Sequence, residues 1–238
     1  MAHVPIYAHR GASGYAFENS FTAFIKAKLL GADGIEFDIQ RSNDDVLVVF
    51  HDLHLARLTG VKKFIFDCSA EELGQYKLGY RFSRLFSSKK IPTFEEVMKW
   101  ANEQQMAVNI EIKESLLMDP TPLIAALLTT ELSGNSHFSS FHEELLQLVK
   151  VLRPNVETAL IVTKKFNWDT LGSCTYIDVV HASKKYYKRR YLKACDYAGK
   201  GIRFYGIQGN EDFLKQPHPA VIGWITDYPD RVRKQQKQ

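Results

Sequence analysis

Apolar positions along the chain follow two periods in turn. Short runs rich in β-branched and aromatic residues occur at 4–8 (VPIYA), 33–38 (DGIEFD), 107–112 (AVNIEI), 136–140 (SHFSS), 157–162 (ETALIV), 176–180 (YIDVV), 203–207 (RFYGI) and 221–226 (VIGWIT), and they read as eight strands. Helical patterns lie between them. SFTAFIKAKLLG ends with Gly31 in a C′ position, TFEEVMKWANEQ opens with Thr93 and Glu96 at capping-box spacing, and HEELLQLVKVLR stops before Pro154. The alternation predicts an α/β fold, a parallel (β/α)8 TIM barrel, with a doubly wound open sheet as its rival. In either architecture the chemistry belongs at the carboxyl ends of the strands.

One stretch breaks the rhythm. After DGIEFD the chain continues QRSNDDVLVVFHD, two β-rich segments around Asn43, Asp44 and Asp45, which is a hairpin signal. A turn centred between Asp44 and Asp45 would oppose Gln40 to Val49 and Asp38 to His51, bringing His51 back to the barrel mouth. Residues 53–91 then form an insertion beside that mouth, too long for a plain connection. One domain spanning residues 1–238 is expected, since barrels of this length commonly fold as a unit.

Composition narrows the functional classes. A net charge of +4, from 31 Lys and Arg against 27 Asp and Glu, is too slight to imply nucleic acid and suits a small anionic substrate. Cys68, Cys174 and Cys195 form neither a CxxC pair nor an even-numbered framework, which points to a reducing compartment. With no signal-like segment and no long uncharged apolar run, a cytoplasmic protein without stable membrane insertion is expected. The basic run KKYYKRR at 184–190 reads as a solvated helix entrance, and the tail RVRKQQKQ as frayed.

The chemistry sits at the strand ends. The first strand ends in His9 and Arg10, the second carries Glu36 and Asp38 at alternate positions, the hairpin returns His51 and Asp52, and the third barrel strand carries Glu111 and Lys113. Three carboxylates on one mouth repel each other unless a cation sits among them, and all-oxygen ligation selects one hard divalent ion, Mg²⁺ or Ca²⁺. Glu36, Asp38 and Glu111 are therefore the expected metal ligands, Arg10 and Lys113 the phosphate contacts, and His9 and His51 the acid–base pair. His3, His54, His137, His142, His181 and His218 have no such partners in sequence and read as ordinary surface or core residues.

HRG with ENS, GADGIEFDIQRSNDDVLVVFHD, EIK, IPTFEE and ITDYPD together resemble the glycerophosphodiester phosphodiesterase family over nearly the whole chain. The resemblance implies a (β/α)8 barrel with a small insertion after the second strand, a divalent metal, and hydrolysis of small-molecule glycerophosphodiesters to glycerol 3-phosphate and an alcohol. It also implies that Asn19 lines the site and that Glu18 buttresses its loop, with Ser20 standing where the family has threonine. Tyr205, Gly206, Ile207 and Gln208 replace a WTVN-like stretch of the family, a change directed at the glycerol or alcohol pocket, with Tyr205 as a substrate contact. Two other functions compete. A lysophospholipase D would hold an acyl chain on FIFD or RFSRLF in the insertion, and a non-catalytic phosphodiester-binding module would have lost a histidine or a ligand, whereas every one is present.

Overall fold

The computed structural model describes residues 3–80 and 87–237. Strand β1 (Ile6–His9) is followed by α1 (Phe21–Leu29), β2 (Gly34–Arg41) and β3 (Leu47–Val49). Two short helices, α2 (Ala56–Thr59) and α3 (Ala70–Gln75), precede α4 (Phe94–Glu103). Then come β4 (Ala107–Ile112), α5 (Ser115–Met118), α6 (Thr121–Thr129), β5 (His137–Ser140), α7 (Glu143–Leu152), β6 (Glu157–Ile161), β7 (Val179–Ser183), α8 (Arg189–Ala198), β8 (Gly201–Ile207), β9 (Val221–Thr226) and α9 (Pro229–Gln236).

Strands β1, β2 and β4 to β9 pair in parallel, and a pairing of β1 with β2 closes them into an eight-stranded TIM barrel. Outward-facing residues such as Ile35, Phe37, Val108 and Ile110 pack under Phe24 and Ala27 of α1 and Val97 and Ala101 of α4. A second cluster on the opposite side joins Leu160, Val180, Phe204 and Trp224 to Leu192 of α8 and Val232 of α9. Local signals place the helix ends as expected. Ser20 caps α1 through the Ala23 amide, and Thr93 and Glu96 bond each other's backbone amides at the start of α4. A 3₁₀ turn over Trp168–Ser173 replaces the helix between β6 and β7.

Three sequence expectations need correction. The hairpin register differs by one residue, with Ile39 opposite Val49 and Gln40 opposite Val48. Asp45 takes a left-handed φ of 62°, so the loop has three residues and the pairing centres on Asp44. The strand expected at 176–180 runs over Val179–Ser183, because Asp178 is held ahead of it by its own bonds to Thr158. The tail is not frayed. Residues Pro229–Gln236 form α9, Val232 is buried, and Arg233 bonds both the Gly31 carbonyl and Asp33 at 2.7 Å.

The lower barrel interior is unusually polar. Tyr7 of β1 meets His137 of β5 edge-on at 5.0 Å and His137 meets His181 of β7 at 5.3 Å, contacts that cross the lumen because these strands are not neighbours. Arg203 bonds Glu157 at 2.7 Å beside them. Burial first, and the Arg203 charge second, hold both imidazoles well below their usual pKa, so they are neutral core residues.

Candidate active site

Strand register brings the polar residues together before any loop is considered. His9 lies opposite Glu36, Glu36 opposite Asn109, and Asp38 opposite Glu111, so three neighbouring strands deliver one histidine and three carboxylates to one mouth. The carboxylate oxygens of Glu36, Asp38 and Glu111 all lie within 4.8 Å of one another. The chain then turns sharply after β1. Arg10 and Gly11 take φ of 54° and 77°, and a Cβ on Gly11 would lie 2.6 Å from the Ala23 carbonyl carbon, so no side chain fits there. This turn aims the Arg10 amide at Glu36 Oε2, 2.7 Å away.

Arg10 and Lys113 neutralise the cluster. Lys113 Nζ lies 2.6 Å from Glu111 and 3.1 Å from Asp38, and Arg10 Nε lies 3.3 Å from Asp38. Asn19, at a left-handed φ of 50°, is buried and gives its Nδ2 proton to Asp38 Oδ2 at 2.8 Å, so its amide is directed at the carboxylate. Burial raises Asp38, but Lys113 and Arg10 outweigh it and hold its carboxyl well below the usual range. Glu36 has no such cation in contact. Burial, then the charges of Asp38 and Glu111, push it up to about 8. Glu36 Oε1 and Asp38 Oδ1 are buried without a hydrogen-bond partner, as oxygens intended for a cation would be. Three carboxylates at this spacing, two of them with such oxygens, fit a hard cation.

Two imidazole–carboxylate pairs flank the cluster. His9 Nδ1 contacts Asp227 Oδ1 at 2.7 Å, and Ser13 holds the same oxygen at 2.8 Å. His51 Nδ1 contacts Asp52 Oδ1, also at 2.7 Å. A carboxylate on Nδ1 fixes the proton there and leaves Nε2 as the working nitrogen. Burial lowers His9, but the Glu36 charge and the Asp227 bond overcome it and raise the ring to about 8.

Outside the cluster, Glu18 and Asp52 share one arginine of the insertion. Arg57 reaches Asp52 at 2.5 and 3.0 Å and Glu18 at 2.9 and 2.8 Å, while Glu18 also accepts from Arg10 at 2.8 Å. Glu18 thus joins the first loop to the insertion. The cavity above the cluster holds about 250 Å³ and is lined by His9, Arg10, Glu36, His51, Glu111 and Tyr205, with Phe141, Ile161 and Ile225 supplying apolar wall. His181, treated from sequence as an ordinary residue, is buried at its floor with Nε2 unpartnered. Of the stretch that departs from the family, Tyr205 reaches the cavity, and the Gln208 backbone N–H donates to Glu211 Oε1 at 3.0 Å.

Sequence reasoning left Asp227 and Arg57 without roles. Asp227 follows β9 directly, so the strand-end rule that selected Glu36 could have found it; Arg57 lies in the four-residue helix α2, too short to give a periodic signal.

The profile of the glycerophosphoryl diester phosphodiesterase family matches residues 9–231. A glycerophosphodiester phosphodiesterase of Caldanaerobacter subterraneus is 36% identical over 241 residues, 95% of each chain. A lysophospholipase D of Rattus norvegicus is 32% identical over 117 residues, 47% of this chain and 37% of its own. Among solved structures, an Oleispira antarctica phosphodiesterase in complex with the product sn-glycerol-3-phosphate superposes with a TM-score of 0.85 at 24% identity, covering 98% of this chain and 97% of that one. With a family match over nearly its whole length and a full-length relative at this identity, the chain belongs to the glycerophosphoryl diester phosphodiesterase family and is a phosphodiesterase.

Proposed function

We propose that this protein hydrolyses glycerophosphodiesters to glycerol 3-phosphate and an alcohol, with one divalent cation, Mg²⁺ or Ca²⁺, held by Glu36, Asp38 and Glu111. The observation that carries this reading is the convergence of three carboxylates within 4.8 Å, two with unpartnered buried oxygens, between two histidines that each keep a carboxylate on Nδ1. Held there, a hard divalent cation supplies Lewis-acid stabilisation of charge on the phosphate oxygens.

The chain's own groups do the rest. Arg10 and Lys113 offer N–H donors to the remaining phosphate oxygens, where their charge offsets what builds up at phosphorus. His9 Nε2 accepts the proton of the attacking hydroxyl as the new oxygen–phosphorus bond forms. The attacking group is water or the diester's own glycerol hydroxyl, which would give a cyclic phosphate first, and the same base serves both. His51 Nε2 gives a proton to the departing oxygen as its bond to phosphorus breaks, so the alcohol leaves neutral. A base must be neutral to act, and the Glu36 charge that raises His9 is the charge a bound cation offsets.

The apolar cavity wall and the partial match to a lysophospholipase D favour a second substrate class, the lysophospholipids. Of the two acyl-chain candidates, Phe64 and Phe66 stack at 5.2 Å with Phe64 44% exposed, while RFSRLF at 81–86 lies outside the described residues. The test is a turnover panel of glycerophosphodiesters beside a dispersed lysophospholipid. Release of glycerol 3-phosphate from the former supports the main reading; turnover of the lysophospholipid alone replaces it with the second.

A further inference from the structure

The rim of the barrel is divided unevenly. Strands β4, β5, β6 and β7 are consecutive neighbours, and the loops that leave their carboxyl ends share one sector of the mouth. After β4, Leu117 and Met118 are 42% and 70% exposed, and after β5, Phe141 at the cavity wall is 45% exposed. The next two loops both carry lysines, the first together with Asp169 and Asp178 and the second with cations alone. Lys164 and Lys165 are exposed after β6, and the run KKYYKRR follows β7.

An aromatic cluster ties these two loops into one surface. Trp168 packs on Phe166 at 5.5 Å, Tyr186 at 5.8 Å and Tyr191 at 4.7 Å, all half-buried rings, and each of its three partners has a lysine or arginine beside it in sequence. Residues 179–195 contain six Lys and Arg and no Asp or Glu. Among the described residues only Lys184 of these six has a carboxylate partner, Glu211 at 2.6 Å. Arg189 and Arg190 open α8, whose first turn has no acidic residue, and positive charge there opposes the helix dipole. These cations therefore do not serve their own helix.

We propose that this sector of the rim docks on the anionic face of a phospholipid bilayer. Unpaired lysines and arginines gain from a negative lipid surface, and half-exposed Trp and Tyr rings suit its interfacial layer. Leu117 and Met118 decide between a bilayer and a nucleic acid, since exposed aliphatic groups gain nothing from phosphate backbones but enter a headgroup region favourably. The cavity mouth then opens on the lipid surface.

The test is sedimentation of the full chain with phosphatidylcholine vesicles, with and without about 30 mol% phosphatidylserine, at about 0.1 M and 0.5 M salt. Binding to the anionic vesicles, little to the neutral ones, and loss at high salt are expected. A Lys185→Glu, Arg189→Glu, Lys193→Glu variant should lose at least about a hundredfold in vesicle affinity, roughly fivefold for each cation removed, with the added carboxylates weakening it further. Leu117→Ser with Met118→Ser should weaken it without changing its salt dependence. Both variants should hydrolyse soluble substrate at the unaltered rate. No binding by the unaltered chain, equal binding to neutral vesicles, tighter binding to duplex DNA, or full binding by the charge-reversed variant would each overturn the proposal. Vesicle binding is read without turnover, so its failure is separable from failure of the hydrolytic reading.

Discussion

His9 and His51 have matching supports, a carboxylate on Nδ1 in each case, yet they differ in what else surrounds them. His9 stands opposite Glu36 in the strand register, whereas His51 arrives on the returning hairpin and is tied through Asp52 and Arg57 to the insertion. That difference suits a base near the phosphate and an acid on the leaving-group side. His51→Ala is expected to slow hydrolysis of glycerophosphocholine by roughly 10² to 10⁴, because its alcohol leaves poorly as an alkoxide, and to spare much of the rate on a nitrophenyl phosphodiester. His9→Ala should harm both substrates. Equal losses on the two substrates for His51→Ala remove it from the acid's role, and the reverse pattern exchanges the two histidines. Glu36 gives a second test through stability. Its carboxyl and the His9 ring are both raised to about 8, so the folded, metal-free protein retains protons that the unfolded chain gives up. Stability carried by these groups is lost as pH rises toward 8. His137 and His181 shift the opposite way, but their contribution is complete above the ordinary histidine pKa of about 6.5. Between about pH 6.5 and 8, urea melts of metal-free protein should therefore show falling stability, and Glu36→Gln should flatten the trend. A rise over that interval contradicts the assignment.

Arg57 is the point at which an element outside the barrel reaches the chemistry. The insertion has its own small core of Leu55, Leu58, Ile65, Leu73 and Leu78 against Val48 and Phe50 of the hairpin, so α2 is held firmly enough to aim a side chain. Arg57→Ala leaves Asp52 free to turn away from His51. The expected result is a fall in kcat of about tenfold to a hundredfold with KM nearly unchanged, and an unchanged KM–kcat balance after Arg57→Ala would show that the clamp does not orient His51. The barrel strands were legible because their β-rich runs are bounded by helical patterns and turn residues, and the strand-end rule then picked out Glu36, Asp38 and Glu111. The hairpin register was not, because Asp45 adopts a left-handed conformation that a string of polar residues does not announce. Arg57 escaped for a related reason: its partners Glu18 and Asp52 are brought to it by tertiary structure, not by spacing. The tail misread as frayed shows the same limit, since the contact of Arg233 with Asp33 spans nearly the whole chain.

At the scale of the molecule, the barrel separates two polar systems. Its lower lumen holds neutral His137 and His181 with Arg203, a layer remote from any titration near neutrality. Its upper end holds charges that the fold leaves incompletely matched, with unpartnered oxygens on Glu36 and Asp38. No described helix is long and apolar enough to cross a membrane. The incomplete upper layer is the central claim, because it is what calls for a cation and places the reaction there. The most direct measurement is glycerol 3-phosphate release from glycerophosphocholine by protein stripped of metal and then titrated with Mg²⁺ or Ca²⁺. The account predicts no turnover in excess chelator, recovery on titration with at least one of the two ions, and recovery lost in Glu36→Ala, Asp38→Ala and Glu111→Ala. Full turnover by protein shown to be metal-free would contradict it.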